Sequence, residues 1–95
     1  MSQIGLILDE VYGVVLDRQA NPKSGSYTNY LLDKGIDKIC KKIGEEAAEV
    51  IIAAKNGKED EVTYETADLL YHLCVLLVSQ GVSLDQIEAE LRKRR

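Results

Sequence analysis

The stretch Ile36–Lys55, IDKICKKIGEEAAEVIIAAK, reads as a long amphipathic helix. Ile36, Ile39, Cys40, Ile43, Ala47, Val50, Ile51 and Ala54 recur at spacings of three and four, so they form one nearly continuous apolar stripe. Asn56-Gly57 follows as a C-terminal stop, because glycine accepts the left-handed conformation that closes a helix. Downstream, a second long helix is expected from about Glu59 to Gln80, ending before Gly81. Its second half, Leu69 to Val78, is apolar on nearly every side, which predicts a buried central helix. Ser83 opens a last helix, with Gln86 three residues later completing a capping-box pattern.

Upstream, Ile4, Ile7, Leu8, Val11, Val14 and Val15 mark a helix over roughly Gln3 to Arg18. Residues 20 to 28, Ala-Asn-Pro-Lys-Ser-Gly-Ser-Tyr-Thr, form the one clear loop, and Thr28 to Lys34 reads as a short helix ahead of Gly35. No segment alternates with the two-residue period of a strand. The expected fold is therefore all-α, a helical bundle of four to five helices forming one domain over residues 1–95. A chain of this size buries only about 60–65% of its unfolded surface, so oligomerisation is a plausible source of further stability.

The charge balance restricts the partners. The net charge is −4, which disfavours nucleic acid, since a binder of that class needs a basic face. The basic end Arg92, Lys93, Arg94 and Arg95 reads as cations complementing a helix dipole. Cys40 and Cys74 fall in apolar patterns and read as reduced core residues rather than a disulfide framework. The first residues carry Asp9 and Glu10 and lack the pattern of a signal peptide, and no apolar run reaches membrane-spanning length. The expectation is a soluble, cytoplasmic protein with no membrane partner.

Two acidic pairs stand out against this background: Glu46-Ala-Ala-Glu49 and Glu65-Thr-Ala-Asp68. The i, i+3 spacing puts both carboxylates of a pair on one helix face, a turn apart. The intervening segment, Val50–Tyr64, is long enough to finish one helix, turn and begin an antiparallel one. With the faces opposed, four carboxylates converge. At an effective dielectric near 20, two of them about 4 Å apart repel by roughly 4 kcal/mol. Such a cluster calls for cations or protons, and its hard oxygen ligands suit Mg2+ or Mn2+.

In the first of these helices Lys42, Glu45, Glu46 and Glu49 border the apolar stripe, a pattern that an ordinary solvated face would also produce. In the second, Glu61, Glu65, Asp68, His72 and Ser79 share one narrow polar stripe on an otherwise apolar helix. Charges on a central helix are seldom left without partners. His72 reads as a hydrogen-bonded structural histidine or as a partner of Asp68 behind a metal, and it is also a candidate for substrate contact. A ferritin-like di-iron bundle would need a glutamate three residues before that histidine, and Leu69 stands there.

The runs Lys42-Ile43-Gly44-Glu45-Glu46-Ala47-Ala48-Glu49 and Glu65-Thr66-Ala67-Asp68-Leu69-Leu70-Tyr71-His72 resemble the phosphoribosyl-ATP pyrophosphohydrolase family, within the MazG-like all-α nucleotide pyrophosphohydrolase superfamily. Gly25-Ser26-Tyr27-Thr28, Ala53-Ala54-Lys55-Asn56-Gly57 and Gly81-Val82-Ser83-Leu84 extend the likeness over about residues 4 to 94. The resemblance implies Mg2+-dependent hydrolysis of 1-(5-phosphoribosyl)-ATP to 1-(5-phosphoribosyl)-AMP and pyrophosphate, the second step of histidine biosynthesis, by a homodimer. At 95 residues the chain is too short for the cyclohydrolase domain fused in some relatives, so a stand-alone form is expected.

On that basis Glu46, Glu49, Glu65 and Asp68 are the expected metal ligands. Glu45 is a candidate for orienting a water or binding a second metal, and an exposed Glu45 is the alternative. Lys42 is placed to contact phosphate or to pair with a glutamate. Lys23, Ser24, Gly25, Ser26 and Thr28 offer backbone and hydroxyl donors for a phosphate or ribose, or else an ordinary connection capped at Ser26 or Thr28. Two rival functions fit parts of the pattern. One is a house-cleaning nucleoside triphosphate pyrophosphohydrolase of the same superfamily. The other is a non-catalytic helical dimerisation module whose acids are solvated or paired with Lys38, Lys41 and Lys42.

Overall fold

The computed structural model describes residues 1–95 and contains five helices: α1 (Ile4–Ala20), α2 (Tyr27–Lys34), α3 (Ile36–Lys55), α4 (Glu59–Gln80) and α5 (Leu84–Lys93). The all-α expectation holds, with ends within two residues of those read from the sequence. Local chemistry explains the agreement. Gly81 takes the left-handed conformation at φ 69°, where its amide and that of Val82 close on the carbonyls of Val78 and Leu77. Gly35, at φ 91°, ends α2 on the Leu31 carbonyl and accepts the Ile39 amide that begins α3. The capping box at Ser83 and Gln86 is formed in full. Ser26 caps α2 by accepting from the Asn29 amide at 3.2 Å.

α3 and α4 run antiparallel across the short turn at residues 56–58, and theirs is the most extensive contact in the molecule. α1 and α2 close over one end of the pair. The core sits at that end, built from Val15 of α1, Leu31 of α2, Ile39 of α3, and Val75 and Val78 of α4. Tyr12 ties α1 to the α4–α5 corner through a 2.7 Å bond to the Val82 carbonyl. At that corner the chain bends by 113° into α5.

Burial departs from the sequence reading in three places. Cys74 is buried, but Cys40 is exposed on the outer flank of α3. On α1, Ile4, Ile7 and Val14 of the apolar stripe are exposed and only Val15 is fully covered. On α4, Leu69, Leu70, Leu73, Leu76 and Leu77 are half-buried rather than enclosed. The reason is common to all three: a single layer of helices covers only one side of α3 and α4, so a helix apolar all round keeps one side uncovered. No single helix is long and apolar enough to cross a membrane.

Candidate acidic cation site

The antiparallel α3–α4 pair brings the two acidic pairs face to face. Each pair descends from its i, i+3 spacing, and the register of the hairpin opposes them. One oxygen each of Glu46, Glu49 and Glu65 lie within 4.8 Å of one another, and Glu46, Asp68 and His72 form a second such group sharing Glu46. Glu46 is the buried carboxylate of the set, 4% exposed, while Glu49 is exposed and Glu65 and Asp68 are half-buried. The cluster is thus a cleft with Glu46 at its floor.

Glu46 Oε2 is fully buried and has no hydrogen-bond partner. Its other oxygen lies 3.6 Å from Lys42 Nζ, which also lies 3.7 Å from Glu45. A buried carboxylate oxygen without a partner is costly unless a cation or proton meets it. The electrostatics agree. A proton shared with Asp68 is the main cause that raises the Glu46 carboxyl to about 7, aided by burial and by the charges of Asp68 and Glu49, with Lys42 opposing. Glu65 is likewise raised to about 7, first by a proton shared with Glu49, then by lost hydration and the charges of Glu49, Asp68 and Glu61. The orphaned oxygen and four converging carboxylates fit a hard divalent cation held by Glu46, Glu49, Glu65 and Asp68.

His72 stands behind this cleft. It is 2% exposed; its Nδ1 donates to the Asp68 carbonyl at 2.8 Å, and its Nε2 is hydrogen-bonded to the Tyr27 hydroxyl at 2.9 Å. Both ring nitrogens are engaged, so the imidazole buttresses the Asp68 turn and has no free position for substrate. Tyr27, which spacing alone did not single out, links the Gly25-Ser26-Tyr27-Thr28 loop to this histidine. Burial raises its phenol, Lys42 lowers it, and Tyr71, Asp68 and Glu46 add to the rise, which puts it in the field of the cleft. For Lys42, burial works to lower the ammonium, but Tyr27, Glu45 and Glu46 outweigh it and the net shift is upward.

The remaining expected residues separate into two groups. Lys23, Ser24 and Gly25 are exposed and, with Ser26, line an open concavity beside Tyr27, Tyr30 and Asp33. Thr28 is buried, and its hydroxyl is engaged with that of Tyr71, so it anchors α2 to α4 instead of facing a ligand. Asn29, also missed from sequence, is buried and pins the loop: it donates to the Arg18 carbonyl at 2.8 Å and accepts the Lys23 amide at 2.9 Å. Glu45 is half exposed and faces only Lys42. At the opposite end, Ile52, Asp60, Glu61 and Tyr64 line a second cleft that runs into Glu49 and Glu65.

The chain is similar to known proteins over most of its length. The family model for phosphoribosyl-ATP pyrophosphohydrolase matches residues 8–95. A phosphoribosyl-ATP pyrophosphatase of Lactiplantibacillus plantarum is 63% identical over 87 residues, covering 92% of this chain and 82% of that protein. One from Streptococcus thermophilus is 60% identical over 89 residues, covering 94% and 86%. The histidine biosynthesis bifunctional protein HisIE of Thermoanaerobacter pseudethanolicus is 60% identical over 84 residues, covering 88% of this chain and 39% of that protein.

Proposed function

The chain belongs to the phosphoribosyl-ATP pyrophosphohydrolase family, and from this we propose that it hydrolyses 1-(5-phosphoribosyl)-ATP to 1-(5-phosphoribosyl)-AMP and pyrophosphate, in histidine biosynthesis, at the Glu46–Glu49–Glu65–Asp68 cleft. The observation that carries the assignment of the site is the buried, unpartnered Glu46 Oε2 among three further carboxylates.

The reaction breaks the anhydride bond between the first and second phosphates. Water supplies the oxygen, pyrophosphate leaves, and a proton must be taken from the water. Mg2+, or Mn2+ in its place, held by the four carboxylates, would neutralise phosphate charge and acidify water. The protein's own groups do the rest. Glu46 and Glu65, raised to about 7 in the cation-free cleft, give up their protons when the cation binds, and Glu45, outside the ligand set, would take the proton of the attacking water. Lys42, at the rim, supplies a fixed positive charge for a phosphate oxygen. His72 and Tyr27 keep the Asp68 turn and the loop in register.

The working form is a homodimer in this reading. The exposed apolar side chains of α1 and the half-buried leucines of α4 are supported as its interface by their extent alone, and light scattering would test that. The protein acts in the cytoplasm, without nucleic-acid or membrane partners.

Pyrophosphate release from phosphoribosyl-ATP, with Mg2+ and with EDTA, beside a panel of nucleoside triphosphates, tests the function. Release confined to phosphoribosyl-ATP and abolished by EDTA is expected. Release from the panel instead would assign a house-cleaning activity, and no release from any compound would leave a packing module.

A further inference from the structure

Two lysines outside the acidic cleft converge on one tyrosine. Lys34 Nζ lies 5.8 Å, and Lys38 Nζ 5.9 Å, from the ring centre of Tyr30. Neither lysine has a carboxylate within ion-pair distance, unlike Lys42, Lys58 and Lys93. Each ammonium lies over the ring of Tyr30, a residue 42% exposed. Two ammonium groups drawn to one ring with no ion-pair partner leave positive charge there that an anion would offset.

The position of this pair relative to the cleft gives it meaning. Lys38, Lys42 and Glu46 follow at four-residue steps on α3, so they form one file on one face. At 1.5 Å per residue, Lys38 is about 12 Å from Glu46 along the axis. Aromatic rings bridge that interval: Tyr30 stacks on Tyr27 at 6.0 Å, and Tyr27 stacks on Tyr71 at 6.3 Å beside the turn that carries Asp68. The opposite exit from the cleft is unsuited to an anion, since Asp60 and Glu61 line it and Lys58 is already paired with Glu61 at 3.8 Å.

The proposed substrate carries phosphate at both ends, with a purine between two riboses. Accepting the reading of the acidic cleft as the triphosphate end, we propose that Lys34 and Lys38, held on Tyr30, bind the lone phosphate of the phosphoribosyl arm. Tyr27 and Tyr30 give the purine and ribose an apolar floor between the two charged ends. This subsite distinguishes phosphoribosyl-ATP from ATP, which has nothing to place there.

The test is a chemical cycle on the full chain. Lys34→Ala/Lys38→Ala and the wild type are assayed with Mg2+ on phosphoribosyl-ATP and on the same compound lacking the ribosyl phosphate. Both side chains reach solvent, so folding is expected to persist, which circular dichroism checks. With phosphoribosyl-ATP the variant's KM rises about tenfold or more, while kcat stays within about twofold. With the dephosphorylated compound the wild type and the variant have equal KM. Lys34→Arg/Lys38→Arg restores most of the loss, because the charge is kept. An unchanged KM, or an equal rise on both compounds, overturns the subsite while wild-type turnover leaves the reaction itself standing. A wild type inert on phosphoribosyl-ATP overturns both.

Discussion

Replacing Glu46 by glutamine should stabilise the cation-free protein while disabling it. The charge is removed and the shape kept. Glu46 has an oxygen within 4.8 Å of one on each of Glu49 and Glu65, and an oxygen within 4.8 Å of one on Asp68, against one ammonium at 3.6 Å. At an effective dielectric near 20 each such contact is worth about 3–5 kcal/mol, so repulsions outnumber the single attraction. Added to the proton shared with Asp68, which is the largest cause, and to burial, these charges raise the carboxyl from 4.5 to about 7. At 1.36 kcal/mol per unit that rise is an upper limit of about 3 kcal/mol, and screening by water in the open cleft reduces it to about 1–2 kcal/mol.

The sign follows from linkage. A carboxyl whose folded pKa exceeds its unfolded value stabilises the fold fully below pH 4.5, and that contribution is lost as pH rises through about 7. The wild type, stripped with EDTA, therefore loses stability across that window, and Glu46→Gln does not. Thermal unfolding at pH 8 should show the variant melting higher by about 5–10 °C, with little difference at pH 5. Mg2+ should then raise the Tm of the wild type but not of the variant, and turnover should fall by at least about a hundredfold. A variant that melts lower than the stripped wild type at pH 8 would refute the reasoning, because Glu46 would then be a net stabilising charge.

Three further outcomes can be checked. Glu49→Gln and Asp68→Asn should each remove nearly all turnover and weaken Mg2+ binding, read by calorimetry, with helical circular dichroism unchanged. Tyr27→Phe should leave His72 Nε2 without its partner, costing about 1–3 kcal/mol in denaturant unfolding and raising KM as the loop loosens. Ile39→Ala, at a fully buried core position, should cost about 2–5 kcal/mol, measured by urea unfolding, while kcat per folded molecule is preserved.

The helices of this protein could be read from its sequence because their limits are set locally. Gly35, Gly57 and Gly81 take positive φ, and Ser26 and Ser83 cap with side chains three residues from their partners. The acidic pairs could be read for the same reason, since an i, i+3 spacing fixes a shared face wherever the helix lies. The chain also carried the signal for Tyr27 in its Gly-Ser-Tyr-Thr loop, but nothing in that spacing pointed to a histidine 45 positions away.

Other features depended on which helix faces met. Only packing decided that Glu46, and not Glu49 on the same face, would lie at the floor of the cleft, because burial depends on the neighbouring helix and not on the helix's own pattern. The apolar pattern of Cys40, Ile4, Ile7 and Val14 promised burial, yet a single layer of helices has too little surface to cover every apolar side chain it carries. His72 and Thr28 were candidates for substrate contact until long-range partners, Tyr27 and Tyr71, engaged their polar atoms. Sequence determined the helices, their ends and the carboxylates each would offer, since those follow from contacts within a turn or two. Tertiary structure alone decided which carboxylates converge, which is buried and which lysines face the same ring, since those follow from the register of segments far apart in the chain.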